Sequence, residues 1–360
     1  MSNPTPMSPV LLSRYLGQQY PPTDQQAAVI GAEPGPLLVV AGAGAGKTET
    51  MAARVVWLVA NGYARPDEVL GLTFTRKAAQ EMGKRIRDRL GSLAANTDLV
   101  HRLDPSGELA DNLQVIAPSV STYDSYAGEL IREYGLLVPV EPDARLITDA
   151  ELHAIATDVV VNYSGGLITE LGSNPSLSTV VEDLLALTTA MGNELASPEW
   201  VREHAHDFLA ETESYPMAPR ARVEFTKVLT NWRSKQEMRV NMLPLVEELA
   251  AELRRRGVVT FNEQMSVAAK LARDHQTVGA SQRSRYRVVM LDEYQDTSHA
   301  QRVLLRSLFG EGADPSLTVT AVGDPMQAIY GWRGATAANL AAFVEDFPSP
   351  AGAAPKKQLT

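Results

Sequence analysis

One short stretch limits this chain more than any other: Ala41-Gly42-Ala43-Gly44-Ala45-Gly46-Lys47-Thr48. The apolar run Leu37-Leu38-Val39-Val40 precedes it, and a helix-forming segment from Thr48 to the Asn61-Gly62 stop follows it. A turn built from glycine and alanine can close tightly and point successive backbone N–H groups inward, which makes a cradle for anions. A helix opening at the same point adds a partial positive charge. Strand, small-residue loop and helix is the context in which a phosphate-binding loop works. Lys47 would reach the β- and γ-phosphates of a nucleotide, and the Thr48 hydroxyl would ligate Mg²⁺. Ala41 stands where the strict pattern has glycine. A nucleotide and Mg²⁺ are the ligands this loop calls for.

Such a loop belongs to an α/β layer with a parallel sheet, and the texture of the chain agrees. After an N-terminal arm over residues 1–20, residues 21–130 alternate strand-like runs with helical stretches. Val69-Leu70-Gly71-Leu72-Thr73-Phe74 reads as a second strand, and Lys77 to Leu90 as a second helix with a basic outer side. Residues 131–256 are Leu/Ala/Glu-rich and mostly helical, as in Thr179 to Met191 and Leu243 to Arg256. The α/β texture returns over 257–347, with strands at Arg287 to Leu291 and Leu317 to Val322 and a helix at Ala337 to Phe347. Residues 348–360 are Pro/Ala/Gly/Lys-rich and read as a linker. The expected fold is an α/β parallel sheet carrying a P-loop, split by a mostly helical inserted domain. Trp57 and Trp200 read as core residues.

Composition narrows the function classes. The chain has 360 residues and no cysteine, which removes disulfides, thiolate metal sites and a cysteine nucleophile. No apolar run approaches the ~20 residues of a membrane span, so no membrane partner is expected and a cytoplasmic setting fits. The net charge of −10 argues against binding nucleic acid through a broad basic surface. It leaves room for grip by stacking and local backbone contacts.

A phosphate loop needs an acidic strand end to hold the metal and orient water. Asp292 and Glu293 close the apolar run Val288 to Leu291. Asp292 would hold Mg²⁺, and Glu293 would polarise the attacking water as the catalytic base. Their distance from Lys47 along the chain is too long for a minimal P-loop kinase. It suits an α/β core interrupted by an insertion.

Together these strings resemble superfamily 1 DNA helicases of the UvrD/Rep/PcrA type. Gln26, ahead of Ala27-Ala28-Val29-Ile30, resembles the family's adenine-reading glutamine. Ala41 to Thr48 resembles motif I, and Leu72 to Met82 motif Ia. Asp292 to Asp296 resembles motif II. Val322-Gly323-Asp324-Pro325-Met326-Gln327-Ala328-Ile329-Tyr330-Gly331-Trp332-Arg333-Gly334-Ala335 resembles motif III, the most specific of the set. Residues 23–90 and 286–312 look most like the AdnB-type motor subunit of actinobacterial AdnAB helicase-nucleases.

The resemblance implies roles. Besides the loop and Gln26, the nucleotide would be met by Glu49, Arg54, Gln327 and Arg333, with Gln327 sensing the γ-phosphate as a catalytic residue. Glu49 stands where many relatives carry a basic residue. Phe74, Tyr330 and Trp332 would stack on bases of a single strand, a contact worth ~1–3 kcal/mol per base that tolerates any sequence. Thr73, Thr75, Ser121, Thr122 and Tyr123 would hold DNA phosphates through hydroxyls and backbone N–H groups. The expected partners are single-stranded DNA, a duplex/single-strand junction, a second RecA-like domain and a second helicase-nuclease subunit. Nothing after Ala335 looks like motifs IV to VI, so the sequence reads as the N-terminal half of a motor. The implied activity is ATP-driven 3′→5′ movement on single-stranded DNA in repair or recombination. Two other readings stand beside it: a nucleotide-gated scaffold module without catalysis, and a small-molecule P-loop kinase. The Tyr330/Trp332 string speaks against the kinase.

Overall fold

The computed structural model describes residues 6–115, 117–138, 141, 143–165, 175–215, 225–310, 314, 316–329, 338–349, 352 and 354–360. The chain divides into two compact units, Met1–Leu137 with Ala268–Thr360, and Val138–Val267. The strands in chain order are β1 (Leu37–Ala41), β2 (Val69–Thr73), β3 (Ser119–Thr122), β4 (Arg145–Leu146), β5 (Val258–Val259), β6 (Val288–Leu291), β7 (Thr318–Gly323) and β8 (Lys356–Leu359).

The first unit is a RecA-like α/β layer. Its six strands run β3-β2-β6-β7-β1-β8, and every neighbouring pair is parallel. Val69–Thr73, Val288–Leu291 and Thr318–Gly323 are buried at every position, as strands covered on both faces must be. Early helices are α1 (Pro9–Tyr15), α2 (Asp24–Ile30), α3 (Lys47–Ala60), α4 (Arg76–Ala95), α5 (Thr97–Leu103), α6 (Glu108–Val115) and α7 (Tyr123–Tyr134). α3 stops at Asn61, whose side-chain amide donates to the Trp57 carbonyl at 2.8 Å. Trp57 itself is buried beside Val55, Val56 and Val59.

Parallel topology fixes where function can sit. The loops leaving β1, β2, β3, β6 and β7 all emerge from the carboxyl edge of one sheet, the edge where open α/β sheets bind ligands. That edge therefore collects the phosphate loop, Phe74-Thr75, Tyr123, Asp292-Glu293 and Asp324 to Gln327.

One expectation is overturned here. The stretch read as a linker over 348–360 contains β8, which pairs with β1 from Leu38↔Lys356 to Ala41↔Leu359. Lys356, Lys357 and Gln358 hide no apolar run, so strand texture is absent from the sequence. An edge strand needs only one covered side and tolerates lysine well.

The second unit packs α8 (Asp149–Asn162), α9 (Leu177–Glu194), α10 (Pro198–Glu213) and α11 (Lys227–Arg255), and holds the short β4–β5 pair. Thr148, Ser176, Ser197 and Thr226 each cap one helix by accepting a backbone N–H three residues on. Ile155, Val181, Leu184, Leu243 and Leu249 lie in its core. Trp200, expected in a core, is 55% exposed and stacks on His204. The buried positions of α10 are Val201, Ala205 and Thr212, a different face. No helix among the described residues is long and apolar enough to cross a membrane.

Candidate active site

The phosphate loop is built as its composition demands. Gly44 and Gly46 take left-handed dihedrals, at φ 75° and 77°. The left-handed backbone at Gly46 favours glycine, and a Cβ there would lie 2.9 Å from Gln26 Nε2. Gly46 caps α3 without a side-chain bond, which leaves the first N–H groups of the helix facing the loop. Gln26 is tied to the same loop. Its Nε2 donates to the Ala45 carbonyl at 3.3 Å, and its Oε1 accepts from the Thr23 N–H at 3.1 Å, closing a capping box on α2. Gln26 lines a recess with Tyr20, Glu49, Thr50 and Arg89. The Glu49 carboxylate in that recess bonds Arg85 at 3.0 Å and Arg89, both from α4.

Opposite the loop stands the end of β6. Lys47 Nζ lies 3.2 Å from Glu293 Oε2 and 3.4 Å from Oε1, across 246 positions of chain. Glu293 adopts a left-handed backbone, φ 52°, unusual for a side chain with a Cβ. Asp292 is buried, its N–H donates to the Leu72 carbonyl at 2.9 Å, and its Oδ1 accepts from the Glu293 N–H at 3.1 Å. Burial, then the neighbouring Glu293 charge, push the Asp292 carboxyl up to about 6. A desolvated carboxylate with that history suits a hard divalent cation with oxygen ligands. Asp292 and the Thr48 hydroxyl are the donors such an ion would use.

A buried amide, Gln295, links this strand end to the next. Its Nε2 donates to Glu293 Oε2 at 2.9 Å and Asp296 Oδ2 at 3.1 Å, and its Oε1 accepts from the Asp324 N–H at 3.0 Å. Gln327, expected at the γ-phosphate, donates from Nε2 to Asp324 Oδ2 at 2.5 Å. Glu293, Gln295, Asp324 and Gln327 thus form one bonded row between the ends of β6 and β7. Sequence reasoning gave Gln295 no role. The signal was present: a neutral amide placed among Asp292, Glu293 and Asp296 is the group able to donate to two carboxylates at once.

Other expected site residues lie as follows. Arg54 does not reach the phosphate loop. It is fully buried, and its guanidinium donates to Thr320 Oγ1 at 3.0 Å and to the carbonyls of Val29, Ile30, Ala32 and Glu33. It closes the carboxyl end of α2, where orphan carbonyls and the dipole favour a cation. Burial lowers its pKa to about 10, and it remains charged at neutral pH. On the side expected to meet DNA, Thr73 is buried and its hydroxyl has no hydrogen-bond partner among the described residues. Thr122 is buried and caps α7 by accepting from the Ser125 N–H. Tyr123 is buried too, with its hydroxyl donating to the Asp292 carbonyl at 3.1 Å. The Thr122 and Tyr123 hydroxyls are occupied in building the loops. Phe74 and Ser121 are half-buried and Thr75 is exposed, where it caps α4. Tyr330, Trp332 and Arg333 lie outside the described residues.

A parallel sheet with a phosphate loop after β1 and an acid pair after β6 defines a RecA-like P-loop domain of mixed α/β class. Residues 22–348 match the model of the UvrD/REP helicase N-terminal domain, and the chain belongs to that family. ATP-dependent DNA helicase UvrD1 of Mycobacterium leprae is 27% identical over 333 residues, 90% of this chain and 36% of that protein. ATP-dependent DNA helicase PcrA of Staphylococcus epidermidis is 25% identical over 324 residues, and that of Staphylococcus aureus 26% over 326 residues. Here too the chain spans 36% of the relative's length.

Proposed function

We propose that this chain is the ATP-binding half of an ATP-dependent DNA helicase or translocase acting 3′→5′ on single-stranded DNA in repair or recombination. The observation that carries the reading is the Lys47–Glu293 pair beside the buried Asp292. In this account Lys47 leaves Glu293 for the β/γ-phosphates when the nucleotide arrives, which frees the Glu293 carboxylate to take a proton from the attacking water. Loop N–H groups and the start of α3 hold the phosphates. Thr48 and Asp292 would hold a Mg²⁺ ion, which would supply neutralisation of the phosphate charge. Gln26 and the recess with Glu49 receive the base. Gln327, through Asp324 and Gln295, links the γ-phosphate to the loop after β7, where Tyr330, Trp332 and Arg333 follow in sequence.

In the same reading the first unit is RecA-like domain 1A, and the second is its helical insertion 1B. A second RecA-like domain would contribute an arginine to the transition state, worth ~10³–10⁵ in kcat in related phosphoryl-transfer systems. The strings at 23–90 and 286–312 favour an AdnB-type subunit, with a second helicase-nuclease subunit as partner. A titration with a single-stranded oligonucleotide, followed by tryptophan fluorescence, tests the DNA arm. Quenching that depends on Trp332 is expected. Nucleotide binding with no response to oligonucleotide would favour a small-molecule P-loop enzyme instead.

A further inference from the structure

The peptide joining Asp292 to Glu293 is held at both of its polar atoms. Its carbonyl, on Asp292, accepts the Tyr123 hydroxyl at 3.1 Å, and its N–H, on Glu293, donates to Asp292 Oδ1 at 3.1 Å. The residue that follows this peptide has the left-handed backbone, and it carries the carboxylate facing Lys47. A left-handed residue with a Cβ relaxes easily if the peptide before it is free to turn over, because that rotation changes its φ. Something must therefore pin the carbonyl, and the only side chain bonded to it among the described residues is Tyr123.

Tyr123 is well suited to this. It begins α7 directly after β3, so the Thr73↔Thr122 register sets its position against β2, and β2 in turn pairs with β6 up to Leu72↔Leu291. Its ring packs on Phe74 at 5.0 Å between centroids, tilted 55°. Burial holds its hydroxyl well above the ordinary phenol range, so it is a donor at every working pH. The Asp292 backbone is thus clamped from two elements: by Leu72 of β2 at its N–H and by Tyr123 of α7 at its carbonyl.

We propose that Tyr123 is a positioning residue for hydrolysis, holding the Asp292–Glu293 peptide so that the Glu293 carboxylate stays aimed at the phosphate loop. The inference rests on the ATPase reading above and assigns this tyrosine a task distinct from DNA contact. Loss of the hydroxyl should slow the chemical step while leaving the nucleotide cradle intact, since the hydroxyl bonds the Asp292 carbonyl and not the loop from Gly42 to Gly46.

The test compares Tyr123→Phe with Tyr126→Phe. Tyr126 is one turn along the same helix, equally buried, and its hydroxyl donates to Gln282 Oε1 at 2.9 Å, away from the site. The second variant therefore removes a comparable buried bond without touching the carboxylates. Binding of a fluorescent ATP analogue with Mg²⁺ and single-turnover ATP hydrolysis are measured for both and for the unaltered protein. The expected result is about a tenfold lower single-turnover rate for Tyr123→Phe, with analogue affinity within about twofold, and a rate close to the unaltered protein for Tyr126→Phe. An unchanged rate in Tyr123→Phe overturns the proposal. So does an equal fall in both variants, or a fall explained by lost nucleotide affinity. An unaltered protein that neither binds the analogue nor hydrolyses ATP overturns the ATPase reading itself, which separates the two failures.

Discussion

The ends of β1 and β6 and the ends of β2 and β3 lie on one edge of one sheet, yet they use their polar residues in opposite ways. At β1 and β6 the charged groups face each other: Lys47 meets Glu293, and Asp292 is desolvated beside them. At β2 and β3 the hydroxyls turn inward. Thr73 is buried, Thr122 caps a helix, and Tyr123 braces the Asp292 backbone. A motif thus contains two kinds of residue, those that meet a ligand and those that build the loop presenting it. Residue type alone does not separate them, because a threonine can cap a helix or contact a phosphate.

Arg54 gives the largest expected effect on this contrast. It lies two turns into α3 from Lys47, and every bond it makes is to the fold. Arg54→Ala is expected to destabilise the protein by about 3–5 kcal/mol, since it strands several buried carbonyls at once and leaves a cavity. Denaturant unfolding measures this. A stable Arg54→Ala protein that has lost nucleotide affinity would move Arg54 back to the ligand side.

A middle-sized effect follows from Asp292. Its pKa rises from 3.8 to about 6, so between those values the folded chain holds a proton that the unfolded chain does not. Stability from this group therefore falls as pH rises through the window, and the cost is complete above about pH 6. A cation bound at the carboxylate offsets that cost and competes with the proton. The Mg²⁺ dependence of nucleotide-analogue binding should weaken by up to about tenfold per pH unit below 6. A flat profile from pH 7.5 to 5 would remove Asp292 from the metal's ligands.

The smallest effect sharpens the other side. Thr122→Ala should cost about 1 kcal/mol of stability through the lost cap, with single-stranded DNA affinity changed less than about twofold. A large loss of DNA affinity at unchanged stability would return Thr122 to the DNA contacts.

Much of the fold was legible because it follows from apolar runs. Val69–Thr73 and Val288–Leu291 are continuous and buried, as is Leu37–Ala41 apart from half-buried Val40, and parallel strands covered on both faces are built so. β8 was not legible, because Lys-Lys-Gln-Leu gains its strand character only from the open edge of β1. At the site, the loop glycines and the acid pair carry their chemistry in local order. The Tyr123–Asp292 bond spans 169 positions and the Arg54–Thr320 bond 266, and no local pattern announces either. Glu49 shows the same limit: its pairing with Arg85 and Arg89 is visible only once α3 and α4 are packed together.

The central claim is that the pair of Lys47 and Glu293 is a catalytic arrangement awaiting a nucleotide. Glu293→Gln keeps the shape and removes the charge that would polarise water. Single-turnover ATP hydrolysis measured beside nucleotide-analogue binding tests it most directly. The account expects hydrolysis to fall by at least ~100-fold while the analogue binds as well as before or better, because Lys47 no longer faces a competing carboxylate. Hydrolysis at the unaltered rate in Glu293→Gln would contradict it.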